Sequence, residues 1–107
     1  QLSGDISSIS SLTNLIVLDL YNNNFVGTIP SNIGNLTNLI YLNLSNNQLA
    51  GEIPESICDL LENIEIFAIS YNWFCQPYPE CIENNIGIFS TISLFLEVLP
   101  LFIKFYD

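Results

Sequence analysis

The sequence predicts an α/β-type repeat solenoid, chiefly because one segment recurs at a fixed interval. Residues 12–30 read LTNLIVLDLYNNNFVGTIP and residues 36–54 read LTNLIYLNLSNNQLAGEIP, so every matched position lies 24 residues further along. A third, looser copy follows after 25 residues. In such solenoids each unit buries its apolar side chains against its neighbours. We therefore divide the chain into a repeat region (1–85) and an apolar tail (86–107). The repeat region consists of a partial repeat (1–11) and three repeats (12–35, 36–60 and 61–85).

Each copy contains apolar residues in alternation, as at Leu18 and Leu20, which is the period of a short strand with one buried face. Stacked copies would form a short parallel sheet. The chain then leaves the strand at an asparagine whose amide can satisfy backbone groups, in turn at Asn23, Asn47 and Asn72.

The recurring pattern L-x-x-L-x-x-L-x-L-x-x-N-x-L-x-G-x-I-P resembles that of plant-type leucine-rich repeats, from Leu2 to about Ile82. The resemblance implies a leucine-rich repeat solenoid with the parallel sheet on its concave face, an irregular or 3-10 convex side, and a buried asparagine ladder in the turns. It implies much less about function, because one fold serves many functions.

The strand residues that alternate with the buried leucines should point outward, and we call them the concave face. Their tyrosine, asparagine and serine content suits recognition of a protein or peptide ligand. The alternative is that they merely fill a soluble surface. The concave face comprises Val17, Asp19, Tyr21, Asn22, Tyr41, Asn43, Ser45, Asn46, Ile66, Ala68, Ser70 and Tyr71.

Charge excludes several classes of function. One basic residue against eleven acidic ones gives a net charge of −10, which excludes nucleic-acid binding and disfavours an anionic membrane. Glu52 and Glu55 are close enough in sequence to suggest glycoside cleavage, but we expect no cleft around them. Without histidine there is no catalytic triad, and no phosphate loop or zinc-type spacing occurs. We expect no enzyme, cofactor or metal.

The segment around Cys75 and Cys81 resembles the cysteine-bearing C-terminal flank of secreted plant-type repeat proteins. The spacing and prolines of this flank predict a Cys75–Cys81 disulfide, with Cys58 a buried free thiol. The alternative is that Cys75 and Cys81 are both reduced.

Two N-glycosylation sequons, at Asn35 and Asn43, are compatible with secretion, and a glycan on Asn43 would cover the concave face. With the resemblance, they predict an extracellular or cell-surface location.

The two ends of the chain depart from the repeat. Because Gln1 lies in mid-repeat, we expect further leucine-rich repeats N-terminal to it. Residues 86–107 are apolar at helical spacing and have three interpretations: a capping helix, a membrane anchor through 88–106, or an aberrant terminus. Glu97 and Pro100 disfavour the anchor.

Two hypotheses of function remain. The first is a protein- or peptide-binding module of a receptor-like or secreted recognition protein. The second is a structural C-terminal repeat fragment, or a membrane-anchored stub, with no binding function of its own.

Overall fold

The computed structural model describes residues 2–84, 92–95 and 102–105, and within them short strands and helices alternate along the chain. The elements in chain order are β1 (Ser3–Gly4), 3-10 helix η1 (Ile9–Ser11), β2 (Val17–Asp19), β3 (Asn24–Gly27), η2 (Ile33–Asn35), β4 (Tyr41–Asn43), β5 (Gln48–Glu52), α1 (Ile57–Leu61), β6 (Ile66–Ala68), β7 (Trp73–Cys75), α2 (Glu80–Asn84), β8 (Ile92–Phe95) and β9 (Phe102–Phe105).

Two parallel sheets run along the stack: the one expected from the sequence and a second one that the repeat pattern did not predict. The first has the order β2-β4-β6 and the second the order β1-β3-β5-β7. In the first sheet Leu18 pairs with Leu42, and Leu42 pairs with Phe67, so the strands follow the register of the sequence repeat. The helices stack on one another on the other side, with η2 between η1 and α1 and with α1 against α2. In the first sheet the repeat interval of the sequence thus sets which residues pair across neighbouring strands.

The core is a single column of apolar side chains between the sheets and the helices. The Leu-x-Leu pair Leu42 and Leu44 is fully buried, and so are Ile33 and Ile57 on the convex side. Ile82 occupies the same place in the third repeat and is also buried. Since every repeat contributes to this column, burial of apolar surface is the main force that holds the stack together.

The turns after the first-sheet strands contain the expected asparagine ladder. The Asn72 amide donates to the carbonyl oxygens of Leu44, Ile69 and Ser70 at 2.8, 3.2 and 3.3 Å, and its Oδ1 accepts from the Leu49 backbone N–H at 3.0 Å. One buried side chain therefore joins two repeats, and the same geometry occurs one repeat earlier at Asn47.

Each turn also requires a left-handed residue. Asn22, Asn46 and Tyr71 occupy the same place in successive repeats and have φ of 60°, 58° and 58°. Asparagine adopts this conformation more readily than other non-glycine residues, whereas a bulky tyrosine adopts it with strain. Gly27 and Gly51 also have positive φ, of 90° and 78°, a conformation that glycine adopts without strain.

The first repeat is poorly covered on its N-terminal side. Leu12 is 53% exposed, whereas Leu36 at the same repeat position is 0% exposed. Residues 11–15 line a shallow depression of about 400 Å³ at this edge. The difference follows from stacking, because no strand in the described part of the chain lies beyond β2 in the first sheet.

The described parts of the tail are strands, so the prediction of a helix is wrong for these residues. β8 and β9 pair antiparallel, with Ile92 opposite Phe105 and Phe95 opposite Phe102. Their β-branched and aromatic residues favour strands, and Pro100 in the intervening sequence disfavours a continuous helix. β9 lies against β6 and β7, the last strands of the two sheets. The anchor and aberrant-terminus interpretations concern mainly residues outside the described part.

Candidate binding face

The predicted concave face is arranged in four rows across the first sheet. Strand pairing sets the first two rows, and the repeat interval extends them into the turns. The rows are Val17, Tyr41 and Ile66; Asp19, Asn43 and Ala68; Tyr21, Ser45 and Ser70; and Asn22, Asn46 and Tyr71. The register of the sheet therefore brings together the residues that the alternation selected.

Exposure of these twelve residues differs from one repeat to the next. All four in the first complete repeat are exposed, including Val17 at 56% and Tyr21 at 52%. Tyr71 is 47% exposed in the third repeat. The side chains of Tyr41, Asn46 and Ile66 are half-buried. The accessible surface is therefore concentrated on β2 and its turn.

The other four residues are buried, which contradicts their predicted exposure. Asn43, Ser45, Ala68 and Ser70 are each at most 6% exposed. Asn43 Oδ1 accepts from the Ser45 N–H at 3.0 Å, and the Ser45 and Ser70 hydroxyl groups lie 3.3 Å apart. Asn43 and Ser45 belong to the repeat of the central strand β4, and Ala68 and Ser70 to that of β6, against which β9 lies, whereas no described strand lies beyond β2. Alternation in the sequence does not show which strands have a neighbour.

Asp19 is the only charged residue of the face. Its Oδ1 accepts the Tyr21 backbone N–H at 3.1 Å, the same contact that Asn43 makes with Ser45. The carboxylate thus stabilises its own turn through one oxygen. Because Asp19 is exposed, its second oxygen can accept a hydrogen bond from a ligand.

The disulfide differs from the predicted one. Cys58 is bonded to Cys81, with their Cα atoms 5.7 Å apart, and Cys75 is the free thiol. Cys58 lies on α1 and Cys81 on the stacked helix α2, so the bond joins two neighbouring convex helices. By the loop-entropy relation a loop of this length contributes about 3 kcal/mol.

A sequence indicator of this pairing was available. Cys58 directly follows Ile57 and Cys81 directly precedes Ile82, and these isoleucines are equivalent in consecutive repeats. The two cysteines therefore lie on neighbouring convex segments, two positions from exact repeat register, whereas the short spacing between Cys75 and Cys81 favours the wrong pair. Cys75 instead lies on β7, where it pairs with Glu52.

The two sequons lie in different environments. Asn35 is exposed at the end of η2, whereas Asn43 is buried in the first sheet. The Asn43 side chain is therefore not presented on the surface of the concave face, contrary to the expectation from the sequence.

Among the residues that the structure describes, no group of three or more metal-ligating side chains occurs, and Glu52 and Glu55 are exposed to solvent. Hydrogen bonds from the Ser7 hydroxyl and the Ser7 backbone N–H lower the pKa of Asp5 below its usual value.

Among the described residues no helix is long and apolar enough to cross a membrane.

Comparison with known proteins identifies the repeats. The family model described as Leucine Rich Repeat matches residues 14–36 and 38–60. No curated protein sequence matches the chain significantly.

Several solved structures of plant proteins resemble the chain. A crystal structure of PEPR1 with AtPEP1 is 36% identical over 79% of the chain, with a TM-score of 0.69. The leucine-rich repeat ectodomain of the membrane receptor kinase GASSHO1/SCHENGEN3 from Arabidopsis thaliana, in complex with CASPARIAN STRIP INTEGRITY FACTOR 2, is 34% identical over 80% of the chain, with a TM-score of 0.71. The chain spans only 12% and 10% of these two proteins.

A third similar structure is the complex of BIR3 and SERK2 from Arabidopsis thaliana. It is 34% identical over 74% of the chain, with a TM-score of 0.68, and the chain spans 43% of its length.

Proposed function

Since the chain belongs to the plant-type leucine-rich repeat proteins, we propose that it is a protein- or peptide-binding module of a receptor-like or secreted recognition protein. The observation that carries the proposal is the exposed part of the concave face. Val17, Tyr21 and Tyr71 present apolar and aromatic surface, and Asp19 and Asn22 lie beside them with polar groups. Rigid aromatic side chains next to hydrogen-bonding groups are typical of surfaces that bind proteins and peptides.

The similar proteins support this proposal by analogy. The structures of PEPR1 with AtPEP1 and of the plant peptide hormone receptor RGFR1 with RGF2 are complexes with a partner, and BIR3 is seen with SERK2. We infer the same class of partner for this chain, and an extracellular or cell-surface location. We propose no enzymatic activity, cofactor or nucleic-acid partner for it.

The open edge supports a further part of the proposal, namely that more leucine-rich repeats stack on the N-terminal side of β2. Leu12 is exposed, whereas its counterparts Leu36 and Leu61 in the later repeats are buried against a neighbouring unit. Three strands at about 4.8 Å spacing also form a face whose area is smaller than the roughly 800 Å² that each partner buries in a standard interface. Additional repeats would widen this face and cover the apolar edge.

A second candidate function is a purely structural one, in which the chain only ends a longer solenoid. The burial of Asn43, Ser45, Ala68 and Ser70 favours it, because these residues offer no contact to a ligand. The two functions differ in one measurable respect, which is whether the first complete repeat binds a ligand.

Selection from a displayed library of random twelve-residue peptides on the immobilised full chain tests the proposal. We expect peptides that bind the wild-type chain and lose at least tenfold in affinity to a Val17→Ser, Tyr21→Ser variant. Asn32→Ser, an exposed change on the convex side, is the matched control and should leave affinity unchanged. Peptides that bind both variants equally, or no selected peptides, would contradict the proposal and favour the structural function.

A further inference from the structure

The two sequons of the chain have the same chemistry but opposite structural settings. Each offers an asparagine amide two residues before a hydroxyl side chain, at Asn35 with Thr37 and at Asn43 with Ser45. By sequence alone, both asparagines are equally good acceptors of a glycan. In the folded chain they differ in how accessible the amide nitrogen is and in how much space surrounds it.

The Asn35 side chain is accessible to solvent and has room for a bulky substituent. Its side chain is exposed, and so is that of Thr37. Within the described residues the Asn35 side chain makes no hydrogen bond, so attaching a sugar to it breaks none. The flanking core residues Ile33 and Leu36 remain 0% exposed and hold the backbone on either side.

The repeat position of Asn35 points away from the stack. Its counterparts in the neighbouring repeats, Ser11 and Asp59, are also exposed, although η2 itself is packed between η1 and α1. A substituent here therefore projects from the helical side and obstructs neither neighbour. It also lies on the opposite side of the solenoid from the exposed residues Val17 and Tyr21.

Asn43 has the opposite properties. It is 6% exposed, and its Oδ1 accepts the Ser45 backbone N–H at 3.0 Å. The Ser45 hydroxyl is itself buried and lies 3.3 Å from that of Ser70. A sugar on Asn43 would have to displace this packing, so a molecule that received one could not complete the fold.

We propose that Asn35 is an N-glycosylation site of the folded protein and that Asn43 is not. The donor is an oligosaccharide linked to a lipid pyrophosphate. A bond forms between the Asn35 amide nitrogen and the anomeric carbon of the first sugar, the bond from that carbon to the phosphate oxygen breaks, and the lipid pyrophosphate leaves while the amide nitrogen gives up one proton. The inference rests on the extracellular location in the proposed function, because such donors act in the secretory pathway.

Secretion of the full chain from mammalian cells, behind a cleavable signal peptide, tests the site whatever the native location. We expect the intact mass to show one glycan on the wild-type chain and none on Thr37→Ala, a change at an exposed side chain that should leave the melting temperature unaltered. Thr37→Ser keeps the sequon and should keep the glycan.

Three results would overturn the inference: a folded secreted chain without a glycan, a chain with two glycans, or a glycan that persists on Thr37→Ala. None of these affects the concave face, so peptide binding tested as above separates a failure of this inference from a failure of the proposed function.

Discussion

The Asn47 side-chain amide donates to the Leu20 carbonyl oxygen of the preceding repeat at 2.8 Å. The same amide nitrogen donates to Leu44 and Ser45 in its own repeat, and Asn47 Oδ1 accepts from the Phe25 N–H at 3.1 Å. At the first ladder position Asn23 makes the bonds within its own repeat and accepts from the Leu2 N–H at 2.8 Å. A single asparagine thus couples two repeats, so its removal should affect the stack and not only its own turn.

We expect Asn47→Ala to lower the free energy of unfolding by about 2–4 kcal/mol, because four hydrogen bonds are lost and buried backbone groups are left without partners. The neighbouring change Asn46→Ala should cost about 1 kcal/mol, the penalty for alanine at a left-handed φ. Urea denaturation followed by circular dichroism measures both. Equal losses for the two variants would refute the assigned register.

Tyr71 should be a site of stored strain, because it has φ of 58° where the two earlier repeats have asparagine. We expect Tyr71→Asn to raise the free energy of unfolding by about 1 kcal/mol. The reciprocal change Asn46→Tyr should lower it by a similar amount. Thermal melts of both variants test this, and a Tyr71→Asn chain less stable than the wild type would show that the contacts of the ring outweigh the strain.

The disulfide can be located by digestion, since glutamates separate all three cysteines. Cleavage after glutamate without reduction should link the peptide 56–62, which contains Cys58, to the peptide 81–83, which contains Cys81. The peptide 66–80 should carry an alkylatable Cys75. A link between 66–80 and 81–83 would instead restore the pairing predicted from spacing.

The contribution of the Cys58–Cys81 disulfide to stability can be measured with Cys75→Ser as the control variant. Cys58→Ser should lower the free energy of unfolding by about 3 kcal/mol under oxidising conditions, because the loop between the helices is no longer closed. Cys75→Ser breaks no covalent bond and should cost less than about 1 kcal/mol. Comparing the two denaturation midpoints checks the assignment independently of the digest.

Leu12 and Leu36 provide a matched pair for the open edge, since they occupy the same repeat position at 53% and 0% exposure. Leu36→Ala should cost about 2–5 kcal/mol, as expected for a cavity in a packed core. Leu12→Ala should cost less than about 1 kcal/mol in this chain. A large loss for Leu12→Ala would mean that the edge is covered in solution, for instance by a second molecule, which sedimentation would reveal.

The tail yields a prediction about the end of the stack. Because β9 lies against β6 and β7, a chain ending at Asn85 should expose apolar side chains around Phe67 and Phe74, melt earlier and bind a hydrophobic dye. Better solubility and an unchanged melt for the shorter chain would remove the capping hypothesis.

The sequence by itself determined the register of the first sheet and the positions of the ladder asparagines. The interval of 24 residues sets which residues pair across that sheet, as Leu18 with Leu42, and Asn47 and Asn72 are buried where the pattern places them. Such features depend only on nearest-neighbour stacking, so each copy of the motif is evidence for the others.

Tertiary structure decided whatever differs between copies. Position in the stack exposes Asp19 on an edge strand and buries its counterpart Asn43, although alternation treats the two alike. Helix stacking brought Cys58 to Cys81 across 23 residues, where local spacing favoured Cys75. The tail has no repeat to define its register, and its described residues pair as strands although their apolar spacing suits a helix. The exposure of these residues, the disulfide pairing and the structure of the tail depend on which surfaces of the folded chain pack against each other, and only the assembled stack determines that packing.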